Sequence, residues 1–351
     1  MKRPSILLLI TFLFGVFIVL ALHIAAPKKE NHKHAGFERV FAPEGTLVPL
    51  DTLDLGYNSY YIAGVDNSGL YLGNYTAFNH VIKVNPKDIK DTVHYKITAD
   101  SIDKISGIKV NILNSTFYLI DGNMSFIQKG SIKDWVAEPF IKDTNFSRAI
   151  PISDSTLAVI KIYDQKNTFY TMDKEVLKMA KPQLLKEQYG DGLFTTDGKL
   201  YYDPNAELLV FIYFYRNQFL SMDKNFNLKI NGYTIDTISK AKIKIGNIAS
   251  KDQTVMTAPA LIVNKMHDVS QYNLFINSNI LSANEDTKTF ETSSVIDVYD
   301  LANKGIYKQS FYIPALNEQK MDEFKVVNNK TIMVRYTNNI LIYKLNLTNQ
   351  N

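Results

Sequence analysis

The sequence predicts an all-β protein, a six-bladed β-propeller behind one apolar N-terminal helix, with seven blades as the alternative count. Three observations lead there. From Ser5 to Ala26 the chain carries no charged side chain unless His23 is protonated. Past residue 45 helical periodicity almost vanishes, while β-branched and aromatic residues are frequent, with 21 Tyr and 20 Phe in the chain. In that same region a strand, a polar turn and a second strand recur at a nearly constant interval.

The first element is the apolar run. At about 1.5 Å per residue, a helix over residues 5–26 covers the roughly 30 Å hydrocarbon layer of a bilayer. It exceeds the about 7–15 apolar residues of a cleaved signal, and Ile24-Ala25-Ala26 puts a bulky residue where cleavage prefers a small one. The expectation is an uncleaved transmembrane anchor after a tail of residues 1–4, with a cleaved signal as the alternative. Lys2 and Arg3 on one side face Lys28, Lys29 and Lys33 on the other, so flanking charge hardly discriminates orientation. The short tail and the long following domain favour an N-terminus inside and a domain outside. Residues 27–44 read as a polar tether, in which His32 and His34 have the spacing of a chelating pair but sit in a solvated linker.

The propeller is assigned to residues 45–346, with a C-terminal tail at 347–351. Hairpin turns are expected at Asp66-Asn67-Ser68-Gly69, Asn114-Ser115, Ser153-Asp154-Ser155, Asp197-Gly198, Asn277-Ser278-Asn279 and Asn328-Asn329, whose residues tolerate turn dihedrals. Downstream of the hairpins lie HVIKVN (80–85), the weaker SFIQKG (125–130), TFYTMD (168–173), QFLSMD (218–223), VIDVYD (295–300) and ILIYKLN (340–346). Most end in a carboxylate or amide able to close an Asx turn. Their last residues are separated by 45, 43, 50, 77 and 46 positions, a blade-sized period. One blade cannot bury both faces of its sheet, whereas a ring of blades buries all of them. The last copy stops after its third strand, and an unassigned strand, Thr46–Leu50, precedes the first hairpin. That strand is expected to complete the last blade and close the ring. The long interval between 223 and 300 predicts an insertion or extended strands in blade five, or a degenerate seventh blade.

The blade plan, above all VIDVYDLANKG at residues 295–305, resembles six-bladed propellers of the NHL-like and related bacterial envelope type. The resemblance covers residues 45–346. It implies an architecture and leaves activity open, because such propellers include binding modules, sensors, lyases and hydrolases.

Composition narrows the chemistry. With 46% hydrophobic and 21% charged residues the chain can bury a large core. The absence of cysteine excludes disulfides, thiol nucleophiles, Cys-ligated zinc, iron–sulfur clusters, c-type haem and a lipid-modified cysteine. The net charge of +4 is accounted for by Lys2, Arg3, Lys28, Lys29 and Lys33 against Glu30. The balanced remainder offers no footprint for nucleic acid. A short basic start and an exported domain without cysteine fit a bacterial inner membrane with the propeller in the periplasm, or release into the periplasm if the signal is cleaved.

Candidate binding residues sit in the loops between second and third strands. These are Tyr75, Asn79 and His80; Tyr163 and Asp164; Tyr215, Arg216 and Asn217; and Arg335 and Tyr336. Tyr and Arg give contact area and hydrogen bonds at little ordering cost, although Tyr can equally end a strand by packing between blades. The three domain histidines, His80, His94 and His267, form no HxH or HExxH pattern, and no nucleophile elbow or P-loop occurs. No metal site, catalytic residue or cofactor is assigned. Trp135 reads as core. The expected function is a non-catalytic binding or scaffold module for a protein or envelope-component partner, with the membrane engaged through residues 5–26. The alternative is a metal-dependent hydrolase or lyase working from the central channel. Similarity to lactonase-like propellers makes calcium, held by oxygen ligands, the ion that alternative implies.

Overall fold

The computed structural model describes residues 3–25, 36–66, 69–99, 107–122, 126–141, 144–174, 176–181, 183–248 and 253–347. His32, His34, Asn67, Ser68, Asn123, Ser125 and the tail from 348 onward lie outside them. Helix α1 spans Arg3–Ala25, and its described side chains from Ile6 to Leu22 are exposed. Among the described residues, no helix is long and apolar enough to cross a membrane.

Strand β1 (Leu47–Asp54) comes first and belongs to the last blade. Blade one follows as β2 (Tyr60–Asp66), β3 (Gly69–Asn74), β4 (His80–Asn85) and β5 (Asp88–Lys96). A two-residue β6 (Thr98–Ala99) crosses to the edge of blade two, which is β7 (Lys109–Leu113), β8 (Thr116–Asp121), β9 (Phe126–Ser131) and β10 (Val136–Ile141). Blade three is β11 (Arg148–Pro151), β12 (Leu157–Tyr163), β13 (Lys166–Met172) and β14 (Leu177–Met179). Blade four is β15 (Gly198–Asp203), β16 (Leu208–Tyr213), β17 (Gln218–Asp223) and β18 (Leu228–Tyr233). A separate hairpin, β19 (Ile245–Ile248) with β20 (Gln253–Met256), is the insertion expected in the long interval. It falls between blades four and five, and among the described residues no seventh blade forms. Blade five is β21 (Asn264–Ser270), β22 (Asn273–Ser278), helix α2 (Thr287–Thr292), β23 (Ser293–Asp300) and β24 (Ile306–Pro314). Blade six is β25 (Glu323–Val327), β26 (Thr331–Arg335) and β27 (Asn339–Leu345), completed by β1 on its outer edge.

The ring closes as the sequence predicts. Strand β1 runs antiparallel to β27 with Leu47 opposite Leu345 and Asp54 opposite Asn339. Asn346, the last of the strand-ending Asx residues, donates through Nδ2 to the Gly45 carbonyl at 3.0 Å and through its amide to the Thr46 carbonyl at 2.8 Å. The other strand ends make the expected Asx turns. Asn85, Asp173, Asp223 and Asp300 accept from the amides of Lys87, Val176, Asn225 and Ala302 at 2.7 to 3.0 Å.

Six apolar layers separate neighbouring blades. Val81 and Phe117 lie between blades one and two, Tyr118 and Val159 between two and three, and Ile160 and Phe211 between three and four. Ile212 and Leu274, Phe275 and Ile332, and Leu72 and Ile342 continue the series around to blade one. Second strands such as LLVFIY (208–213) are buried on both faces, which is why they read as continuous apolar runs rather than alternating ones. Trp135 is core, stacked on Tyr95 at 4.7 Å and Phe117 at 5.3 Å.

Two expected hairpin turns lie elsewhere. In blade four the first turn runs through Pro204–Glu207, and Asp197-Gly198 instead opens β15. In blade five the turn is Gln271-Tyr272, both at positive φ (45° and 65°), while Asn277–Asn279 ends the second strand. Residues 37–42, read as tether, pack against blade five. Arg39 is buried, with Nε 2.7 Å from Asp297 Oδ1 and an ion pair to Glu285, and Phe41 bridges to Ser310 on β24.

Candidate functional site

The first strand of each blade lines the central channel. Each touches the next around the ring, from β2 through β7, β11, β15, β21 and β25 back to β2. Five of the six carry a cation near their start: Lys109, Arg148, Lys199, Lys265 and Lys325. The inner strands also hold Asp66, Asp203, Asp268 and Glu323, so what matters is which of these cations stay without a carboxylate. A cavity of about 440 Å³ opens beside the channel between the inner strands of blades two to four. Its polar lining includes Lys109, Asn111, Asp121, Arg148 and Lys199, and its apolar wall includes Ile150, Ile160, Leu200 and Phe214. The channel itself adds a further 300 Å³ or so, sharing Lys109, Asn111, Ile150, Lys199 and Leu200 with that cavity.

The cations differ in how they are satisfied. Arg148 Nη1 lies 2.8 Å from Asp197 Oδ1 and also donates to the Gly198 carbonyl. Lys109 has no carboxylate partner among the described residues. Its Nζ sits 5.0 Å from the centroid of Tyr75 and 6.0 Å from that of Tyr61, a cation over aromatic faces. Burial pulls the Lys109 ammonium below its ordinary range; Glu323 opposes that shift, while Lys199 and Arg148 add to it. Lys199 has neither an ion-pair nor a hydrogen-bond partner among the described residues. Glu323 is committed elsewhere, accepting from the Ile62 amide at 2.9 Å and facing Arg335 Nε at 3.6 Å.

Deeper in the channel, Lys325 Nζ lies 2.8 Å from Asp268 Oδ1 and contacts the Tyr201 hydroxyl, while Asp268 Oδ2 accepts from the Val326 amide at 2.6 Å. Burial first and Lys199 second push the Lys325 ammonium down to about 7, and burial pushes the Asp268 carboxyl up. Charged or neutral, the pair sums to zero, so it adds little field. Among the described residues Lys109 and Lys199 line the channel with no carboxylate partner.

No family model and no curated protein matches this chain. Solved structures do. A member of the DUF4221 family from Bacteroides vulgatus superposes with a TM-score of 0.54 at 12% identity, covering 90% of this chain and 100% of that one. A protein from Bacteroides fragilis described as exported gives 0.53 at 10% identity, with the same coverages of 90% and 100%. The likeness is one of fold alone.

Of the residues singled out from sequence, Tyr75 and Arg335 lie at the channel and Tyr215 beside the adjoining cavity. Tyr75 lines the channel and packs on Tyr61 at 4.5 Å between centroids. Arg335 bridges Asp322 and Glu323. Tyr215 is half-buried beside Phe214, in the field of Asp197 and Arg148. Tyr163 and Asp164 form an exposed hairpin tip, with Asp164 and Gln165 both at positive φ. His80 lies out on β4, 3.0 Å from His94 and 3.3 Å from the Tyr60 hydroxyl, and the Asn79 carbonyl serves Ile97. The others turn inward. Arg216 stacks 3.7 Å over Tyr213, Asn217 bonds the 236–238 loop, and Tyr336 donates to the Pro314 carbonyl at 2.7 Å.

The lysines escaped sequence reasoning because each looks like an ordinary surface residue. The available signal was their common place near the start of first strands, as in IKV, GKL and FKV. Among the described residues no three His, Asp or Glu side chains gather as a metal site would require. Lys109 and Lys199 place positive charge in the channel where the enzyme alternative would seat a divalent cation.

Proposed function

We propose that the protein is a non-catalytic binding module, a propeller of the NHL-like envelope class tethered to the bacterial inner membrane with its disc in the periplasm. Its partner is a protein or an envelope component, met by the face that carries the loops between second and third strands. The observation behind this reading is the channel mouth on that face. There Tyr75 lies over Lys109, and Arg335 stands beside Glu323 at the same mouth of a closed ring, a set suited to recognition. Channel groups suited to catalysis are held in structural roles. His267 is enclosed against the Val210 carbonyl at 3.3 Å and titrates at about 3, too low for a base near neutrality.

Anchoring is supported by the apolar run 5–26, whose ends extend past the described side chains, and by the exposure of those side chains, from Ile6 to Leu22, with no protein covering them. The Bacteroides fragilis protein of similar fold, described as exported, is in keeping with this placement.

A photo-crosslinking residue placed at 75, 163 or 215 is expected to capture a discrete partner in cells. The same residue at 114, 154 or 329, in the turns of the opposite face, is expected to capture none. Equal capture from both faces, or saturable turnover in a hydrolase and lyase screen that Lys325→Met abolishes, would overturn the reading. The protein is also expected to stay in the membrane fraction through alkaline carbonate extraction, and a mature chain lacking residues 1–26 would remove the anchor.

A further inference from the structure

The sequence places a cation near the start of each of five inner strands, and the fold makes them neighbours around one axis. Arg148 and Lys325 are neutralised by a nearby carboxylate, but among the described residues Lys109 and Lys199 are not, and both line the channel as well as the adjoining cavity. Lys109 and Lys199 repel one another across this shared, partly apolar and solvent-open space, and an anion between them would meet both charges. The carboxylates in reach are spoken for: Glu323 by the Ile62 amide and Arg335, Asp197 by Arg148. Among the described residues Asp121 is the acidic side chain lining the cavity, and it has interactions of its own. The apolar wall gives a ligand body something to lie on, since Ile150, Ile160, Leu200 and Phe214 face the same space. At about 440 Å³ the cavity falls within the usual size range for a small organic ligand and exceeds what a bare inorganic ion fills.

We propose that this cavity binds an organic oxyanion, a carboxylate or phosphate carried on an apolar or ring-shaped body. Lys109 and Lys199 hold the charged group, Arg148 borders it, and the body lies against Ile150, Leu200 and Phe214. The proposal rests on the binding-module reading and names the chemistry that module recognises. Arg148 already carries a carboxylate in Asp197 and serves as a partial third donor, so the two lysines decide affinity.

Isothermal titration of the full chain in detergent with benzoate, phenyl phosphate, benzamide and phenol tests it. Benzoate, phenyl phosphate or both are expected to bind, more weakly as salt rises, and the uncharged compounds are expected not to. Binding of benzoate alone assigns a carboxylate ligand, and of phenyl phosphate alone a phosphorylated one. Replacing both lysines (Lys109→Gln with Lys199→Gln) is expected to weaken binding by about tenfold or more, the loss of charge-assisted hydrogen bonds, while the melting temperature holds. Arginine at both positions keeps the charge and is expected to retain binding, which also covers a glutamine variant that folds poorly. Equal binding of benzamide and benzoate, no binding of any probe, or a folded glutamine variant with unchanged affinity would overturn the proposal. Crosslinking from position 75 separates the two readings. If the anions fail and the partner is still captured, only the oxyanion site falls; if capture fails as well, the module reading falls with it.

Discussion

His267 remains neutral because its surroundings offer little to a proton. Burial dominates, the Lys199 ammonium adds repulsion, and the Val210 carbonyl compensates only in part. Folding thus lowers its pKa from 6.5 to about 3. Above pH 6.5 the imidazole is neutral folded or unfolded, and its full stability is present. As the pH falls toward 3 the unfolded chain takes up a proton that the folded one refuses, so stability is lost at about 1.4 kcal/mol per pH unit across that window. His267→Gln, which keeps a donor for the carbonyl, is expected to flatten this dependence. Urea denaturation of both proteins at pH 7.5 and 4.5 measures it as a difference, which cancels opposing groups such as Asp236, raised by burial to about 6. Parallel losses in the two proteins would contradict the assignment. Arg39 shows where residue-scale reading from sequence fails. Its partners Glu285 and Asp297 lie some 250 positions away, and nothing in PKKENHKHAGFERVFAPE marks one arginine as buried.

Elements were legible where local chemistry decides them and obscure where packing does. Asn328 and Asn329 both take positive φ (50° and 54°), the turn conformation their residue type favours, and the sequence reading finds that hairpin. Gln271 and Tyr272 adopt the same conformation without any propensity for it, because the strands on either side impose it, and the reading moved the turn to a nearby Asn cluster. A further device repeats unnoticed in the strands. Tyr61 faces Gly73, Phe117 faces Gly130 and Phe219 faces Gly232 across neighbouring strands, each ring lying over the glycine. A Cβ at position 232 would come within 2.2 Å of the Phe219 ring, so Gly232→Ala has to displace an aromatic buried between blades four and five. The expected cost is about 1–3 kcal/mol in urea denaturation, with part of it recovered when Phe219→Leu is added. A neutral Gly232→Ala would mean the ring moves freely.

At the scale of the whole molecule, the ring depends on joining chain segments far apart in sequence. Each of the other blades forms from one contiguous stretch, but blade six waits for β1, whose partner β27 arrives almost 300 residues later. Such a contact is costly in loop entropy, so closure is expected to come late in folding. The sequence disclosed this arrangement because the last repeat lacks a strand and the first has one to spare, an imbalance that closure resolves. Val48 and Lys344 face one another across the seam. In a chain without cysteine, Val48→Cys with Lys344→Cys is expected to form a disulfide on mild oxidation and to add roughly 2–4 kcal/mol of stability, lost again on reduction. Val48→Cys with Lys308→Cys, which places the second thiol on blade five, is expected to stay reduced. Thermal melts with and without reductant measure both pairs. If the first pair fails to crosslink, or the second does so equally well, β1 does not hold the last blade shut, and the closed ring that aligns the channel lysines loses its basis.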